Sequence, residues 1–239
     1  MTSQTVSIGS LPYAGGMAST LHICKSKTRS ITADDLQKAF WIFVIGSVFG
    51  FVVETIWCLV RNGAIESRSS MVIGPFNAVY CIGALLLYTG VKCISGKRKV
   101  LYIFVFAVIA GTAVEFICSL FQEKLFGSVS WDYSGVFLNI GGRVCLLYSI
   151  FWGLLGVAWF IAVQPLFEKN ISKIPAKIYK PLTFWLAVFM VVVCIVSIAA
   201  VARWGTRIDG IASNNIFATI LDKVFPNQYM ELRYPNMIW

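Results

Sequence analysis

Nineteen consecutive residues, "FWLAVFMVVVCIVSIAAVA" at 184–202, carry no charged side chain. At about 1.5 Å per residue, a helix of that length reaches roughly 28 Å, close to the ~30 Å hydrocarbon core of a bilayer. Water offers no folded state to a helix that is apolar on every face, so lipid is its natural solvent. Four further apolar stretches of similar length precede it, at 40–60, 72–91, 100–121 and 144–163, and the last extends over 182–202. Hydrophobic residues make up 58% of the 239-residue chain and charged ones 13%, about half the charged share of a soluble domain. The expected fold class is all-α, a polytopic membrane bundle of five transmembrane helices.

A formal charge of +9 invites a nucleic-acid reading, which the placement of the charges opposes. Four basic residues precede the first span (Lys25, Lys27, Arg29, Lys38) and four lie between the second and third (Lys92, Lys97, Arg98, Lys99). Four more separate the fourth from the fifth (Lys169, Lys173, Lys177, Lys180), whereas the alternate loops hold only Arg61 and Arg68, then Lys124 and Arg143. Basic residues gather in cytoplasmic loops, so the N-terminus is expected inside and the tail from Arg203 outside. The partner this implies is the lipid bilayer, with no nucleic acid.

Two glutamates interrupt the apolar runs in the same way. Gly46, Gly50, Glu54 and Leu59 of the first span are matched by Ala107, Gly111, Glu115 and Leu120 of the third, at a constant offset of 61 residues. Both carboxyls fall about fourteen residues into their spans, roughly 21 Å along the helix axis. The second and fourth spans match more loosely, "IGPFNAVYCIGALL" against "IGGRVCLLYSIFWGLL". A duplicated hairpin with both copies in one direction, a parallel repeat, accounts for the pattern. Four-residue steps put small residues and glutamate on one helix face, where another helix can approach closely, so each carboxyl is expected to face protein. Depth counting adds Asn77 and Tyr80 from span two, Arg143 at the start of span four, and Tyr148 to a polar layer near the outer surface. Two carboxylates and a guanidinium can share protons or bind a cation. They can equally clamp helices together, or stay protonated as bystanders.

The connection at 122–146, "QEKLFGSVSWDYSGVFLNIGGRVCL", is too aromatic for a plain linker. Trp131 and Tyr133 suit a membrane interface, Asp132 can cap a turn or face the polar layer, and Gly141-Gly142 admits a tight backbone entry. The seven cysteines have no CxxC spacing, so neither a disulfide framework nor a zinc site is expected, and no cofactor is implied. Residues 1–39 are expected to be a mostly disordered cytoplasmic lead-in, although "TADD" at 32–35 has capping-box spacing for a helix start. In the tail, 203–239, Ile216, Phe217, Ile220, Leu221, Val224 and Phe225 recur at helical spacing before Pro226, the pattern of a short amphipathic helix.

"WDYS", Asn139, "GGRVCL" and Trp152-Gly153 resemble the hallmark segment of a bacterial membrane family described as putative ABC-transporter type IV, or CmpB-like. Glu54, Arg68, Gly74-Pro75, Tyr80 and Glu115 agree with it, over roughly residues 40–165. Residues 166–202 then form a basic loop and the fifth span. Ala78 and Cys81 depart from the family's usual proline and glycine, which puts any turn built there in doubt. The resemblance implies a small permease-like protein of the bacterial plasma membrane, with no established substrate. No GxxxxGK[ST] loop occurs, so any ATPase would be a separate subunit. With no HExxH or GxSxG and a single histidine, His22, an enzyme is the least supported class. A permease-like subunit with a site at Glu54, Glu115, Arg143, Asn77 and Tyr80, under an outer loop of Trp131, Asp132, Tyr133 and Asn139, is weighed against a structural or regulatory protein whose glutamates clamp helices.

Overall fold

In a computed structural model of the protein, residues 32–171 and 173–239 are described. The expectation for the lead-in falls mostly on residues 1–31, outside that range. Its last residues are helical: α1 runs Ala33–Asn62, and Thr32 and Asp35 form a reciprocal capping box at its start. Gly63, with φ 70°, ends the helix in the left-handed conformation that suits glycine.

Among the described residues, four helices are long and apolar enough to cross a membrane: α1, α3 (Lys99–Phe126), the continuous stretch Leu146–Ile171, and α6 (Ala176–Ile208). The third of these joins α4 (Leu146–Ala158) to α5 (Gln164–Ile171) through a π-helical turn at Trp159–Val163. Much of their outer surface is apolar and uncovered, as at Ile109, Ile117, Val191 and Ile195. That is the surface lipid would solvate.

The second expected span, 72–91, is not one helix. Its α-helix, α2, covers only Ala78–Gly90, about 20 Å long. Gly74 at φ 80° and Asn77 in extended backbone keep the segment before Ala78 out of the helix, and Pro75 disfavours the helical region for the residue before it. Asn77 then caps α2 by accepting from the Val79 N–H at 3.1 Å. The preceding irregular segment enters the bundle rather than skirting it. Met71, Val72 and Phe76 are buried, the Val72 N–H donates to Ser197 Oγ on α6 at 2.9 Å, and the Asn77 N–H donates to the Ser47 carbonyl of α1 at 3.1 Å. Ser69 Oγ lies 2.9–3.0 Å from the carbonyls of Met71, Gly74 and Phe76. Non-helical backbone at membrane depth needs such partners.

Small residues set the helix spacing. Gly46 of α1 faces Ala84 of α2, and Gly156 of α4 faces Ala107 of α3. The connection between α3 and α4 is an ordered hairpin, β1 (Asn139–Ile140) against β2 (Val144–Cys145), turned at Gly141 and Gly142 with φ 59° and 68°.

Beyond α6 the tail folds back as α7 (Ile216–Val224) and α8 (Asn227–Arg233). Met230, Phe225 and Tyr234 join Val72, Ala200, Val201 and Trp204 in one buried cluster. The amphipathic pattern divides between two environments: Leu221 and Phe225 pack inward, while Ile216, Phe217, Ile220 and Val224 remain exposed. Asp222 fixes α7 through Arg203 and Arg207 of α6, at 2.8 and 2.7 Å. The Arg203 hydrogen bond, seconded by Arg207, holds the Asp222 carboxyl down at about 2.

Candidate functional site

Glu54 and Glu115 each meet an aromatic donor from the neighbouring helix. Glu54 Oε1 accepts from Tyr80 Oη of α2 at 2.8 Å. Glu115 Oε2 accepts from Trp152 Nε1 of α4 at 3.0 Å, and its Oε1 accepts from Tyr133 Oη of the hairpin connection, also at 3.0 Å. Glu115 is buried and Glu54 half-buried. The rings of Tyr80 and Trp152 lie against each other, centroids 4.8 Å apart, and join the two carboxylates at the centre of the bundle.

The glycines one turn before the glutamates make this geometry possible. A Cβ on Gly50 would stand 2.1 Å from Tyr80 Cγ, and one on Gly111 would stand 2.5 Å from Trp152 Cγ. In both helix pairs, then, a small residue receives the facing helix, the next glycine receives an aromatic ring, and the next glutamate accepts that ring's hydrogen bond. The arginines follow the same plan. Arg68 donates to Cys58 Sγ, one turn past Glu54, at 3.2 Å, and Arg143 donates to Ser119 Oγ, one turn past Glu115, at 3.1 Å. Arg143 also pairs with Glu123 and Arg68 with Glu66. Among the described residues neither Glu54 nor Glu115 has an ion-pair partner.

Several candidates from the sequence lie away from the carboxylates. Arg143, expected beside them, is at a hairpin turn and reaches Glu123 first. Asn77, besides capping α2, donates from Nδ2 to the Arg68 carbonyl at 3.2 Å, so it shapes the irregular segment. Asp132 accepts from the Ser134 N–H and hydroxyl at 2.8 and 2.9 Å, capping a turn and facing away from the polar layer. Trp131 Nε1 donates to the Arg143 carbonyl at 2.8 Å, and Asn139 bonds the loop carbonyls of Ser134 and Val136. Of the outer-loop candidates only Tyr133 reaches a glutamate. Tyr148 stacks on Tyr133, 4.7 Å between centroids, and accepts from Arg61.

Trp152 is the donor that depth counting missed. A sequence signal existed: Tyr80 and Trp152 each precede by four residues the small residue, Ala84 or Gly156, that contacts the partner helix. Beside the ring pair is a cavity of about 20 Å³ bordered by Gly46, Phe49, Leu155 and Trp159, room for about one water molecule. Among the described residues no three histidine, cysteine, aspartate or glutamate side chains gather as metal ligands. The arrangement can hold a proton or accept a small cation, and a larger solute would require the helices to part.

A family model described as putative ABC-transporter type IV matches residues 41–198. No curated protein and no solved structure matches the chain. The matched stretch contains both glutamates, their aromatic donors and most of α6. It ends before the tail.

Proposed function

The chain belongs to the putative ABC-transporter type IV family, and from that premise we propose that it is a transport subunit whose Glu54 and Glu115 bind a proton or small cation during solute movement. The observation that carries this reading is the pair of carboxylates in matching surroundings, each bonded by neutral aromatic donors and neither ion-paired among the described residues. A carboxylate withdrawn from water without a counter-ion is costly, and an arriving cation or proton relieves that cost. The Tyr80–Trp152 contact supports coupling between the two halves, since a displaced ring in one half moves against the donor of the other.

The remaining parts of the reading follow the same line. The membrane is the bacterial plasma membrane, and the second crossing is completed by the irregular segment before α2, giving five. The equivalent contacts favour a parallel duplication of a two-helix hairpin. Basic residues favour an inside N-terminus and an outside tail. Alkaline phosphatase fused after Trp239 should therefore be active and fused at Gly96 inactive; the reverse pattern would invert the topology. Any ATPase is a separate subunit, and the chain itself moves its solute chemically unchanged.

Glutamine keeps a carbonyl that can accept from Tyr80 or Trp152 but loses the charge, so it separates the transport reading from a clamp. In proteoliposomes under an imposed potential, Glu54→Gln or Glu115→Gln should cut proton or monovalent cation flux at least tenfold, and the double variant should abolish it, with melting temperature little changed. Equal flux in parent and double variant, zero included, would rule the reading out. The clamp reading is favoured by the bonds themselves, which tie α1 to α2 and α3 to α4. It requires Glu→Leu variants to lose stability while flux through the Gln variants persists.

A further inference from the structure

α7 turns large apolar side chains away from the protein. Ile216, Phe217, Ile220 and Val224 are all exposed, the first two by 70% and 75%. At 3.6 residues per turn they fall within one arc of about 100°. The opposite face holds α7 to the bundle. Asp222, the one acidic residue of α7, pairs with Arg203 and Arg207 of α6, and Arg207 also donates to the Phe225 carbonyl at 2.9 Å. A surface helix bathed in water shows polar side chains outward. Here the charge is turned in and the uncovered face is apolar.

The same contacts fix the depth of α7. Arg203 is the first charged residue after the apolar run 182–202, so Asp222 lies where that run leaves the hydrocarbon. Phe225, with Leu221 packed against it, joins the buried cluster that contains Ala200 and Val201, both still within the run. α7 therefore lies alongside the last turns of α6 and not beyond them, and its apolar arc continues the lipid-facing surface of the long helices. Lys223 is exposed at the rim of the arc, where a lysine can keep its stem among apolar side chains and extend its amine to headgroup phosphates. A second copy of the chain is the competing occupant, and area opposes it. Four side chains on a nine-residue helix, about 13 Å long, fall well short of the roughly 800 Å² that each partner of a stable pair buries.

We propose that α7 is an interfacial membrane anchor, with Ile216, Phe217, Ile220 and Val224 embedded at the acyl-chain border of the leaflet where α6 ends and Lys223 at its phosphates. The anchor lies outside the family-matched stretch and is independent of the glutamate pair. Pro226 joins it directly to α8, so it also steadies Tyr229 and Arg233, which bond the carbonyls of Val72, Met71 and Gly74.

The test replaces Phe217 by the photoreactive analogue p-benzoylphenylalanine in the full-length protein, reconstituted in phosphatidylethanolamine–phosphatidylglycerol liposomes. The excited benzophenone inserts into nearby C–H bonds and relaxes unreacted in water. The same analogue at Val191, exposed on the apolar middle of α6, sets the reference for a lipid-facing position. Mass spectrometry after illumination should find phospholipid adducts at position 217 at no less than a third of the Val191 level, with the protein still monomeric on a denaturing gel. A lower adduct yield at 217 would show that the arc faces water and would overturn the anchor. A covalent dimer as the main product at 217 would overturn it in favour of a second copy.

Discussion

Alanine at Gly50 or Gly111 should destabilise the bundle by about 1–3 kcal/mol, the usual cost of forcing extra atoms into a packed interface. The new methyl would stand 2.1 Å from Tyr80 Cγ in one case and 2.5 Å from Trp152 Cγ in the other. These are the roots of the rings, not flexible ends, so the facing helix must move. Alanine favours a helix over glycine by up to about 1 kcal/mol, and the steric term exceeds that gain. Gly83 supplies the control: a Cβ there meets only Trp152 Cζ3, at an ordinary 3.5 Å. Gly83→Ala should therefore be neutral or slightly stabilising. Because Tyr80 and Trp152 touch, the double variant should be non-additive. Thermal unfolding in detergent reads all four proteins. Gly50→Ala and Gly111→Ala melting together with Gly83→Ala would refute the packing argument.

The same residues mark how far the sequence could be read. Long apolar runs and four-residue steps are local properties, so the long helices, the small-residue faces and the protein-facing glutamates were legible. Cross-helix partners were not, because they depend on depth register, and register here is set by backbone that is not helical. Counting inward along a continuous second span treats Asn77 as a mid-span side chain. Gly74 and the extended backbone at Asn77 instead delay the helix, and Asn77 becomes its cap. Counting from the start of the fourth span sends Arg143 inward toward the glutamates. The turn at Gly141 and Gly142 instead carries it alongside α3, where Ser119 and Glu123 are in reach. Tyr80 was found although its helix starts six residues later than the pattern predicts, because position 80 lies within the helix under either start. Trp152 was hidden among eight tryptophans, in a class of residue that most often serves as lipid-facing or interfacial surface.

Arg233→Ala should cost about 1–3 kcal/mol although it removes a side chain that lies near neither glutamate. Arg233 Nε donates to the Met71 carbonyl at 2.8 Å, and its Nη2 donates to the Gly74 carbonyl. Tyr229 Oη covers the Val72 carbonyl between them at 2.8 Å. Within this irregular segment the backbone has no ladder of its own, and Pro75 has no N–H to offer. A carbonyl stripped of its donor away from water costs about 1–3 kcal/mol. Ser69 Oγ stays within reach of both oxygens but has one proton to share among them and Phe76, so at least one of the two loses its donor. Arg233→Lys keeps the charge on a single nitrogen, cannot span both oxygens, and should lose roughly half as much. Leu232→Ala, at a neighbouring residue that is 71% exposed, should melt with the parent. Hydrogen exchange localises the effect: amides of residues 69–77 should lose protection in Arg233→Ala before those of α3 do. The irregular segment falls inside the family-matched stretch and Arg233 outside it, so the tail supplies donors that the matched core requires. Parental melting of Arg233→Ala would mean that water reaches these carbonyls, and the segment before α2 would then line a wet path rather than a sealed wall.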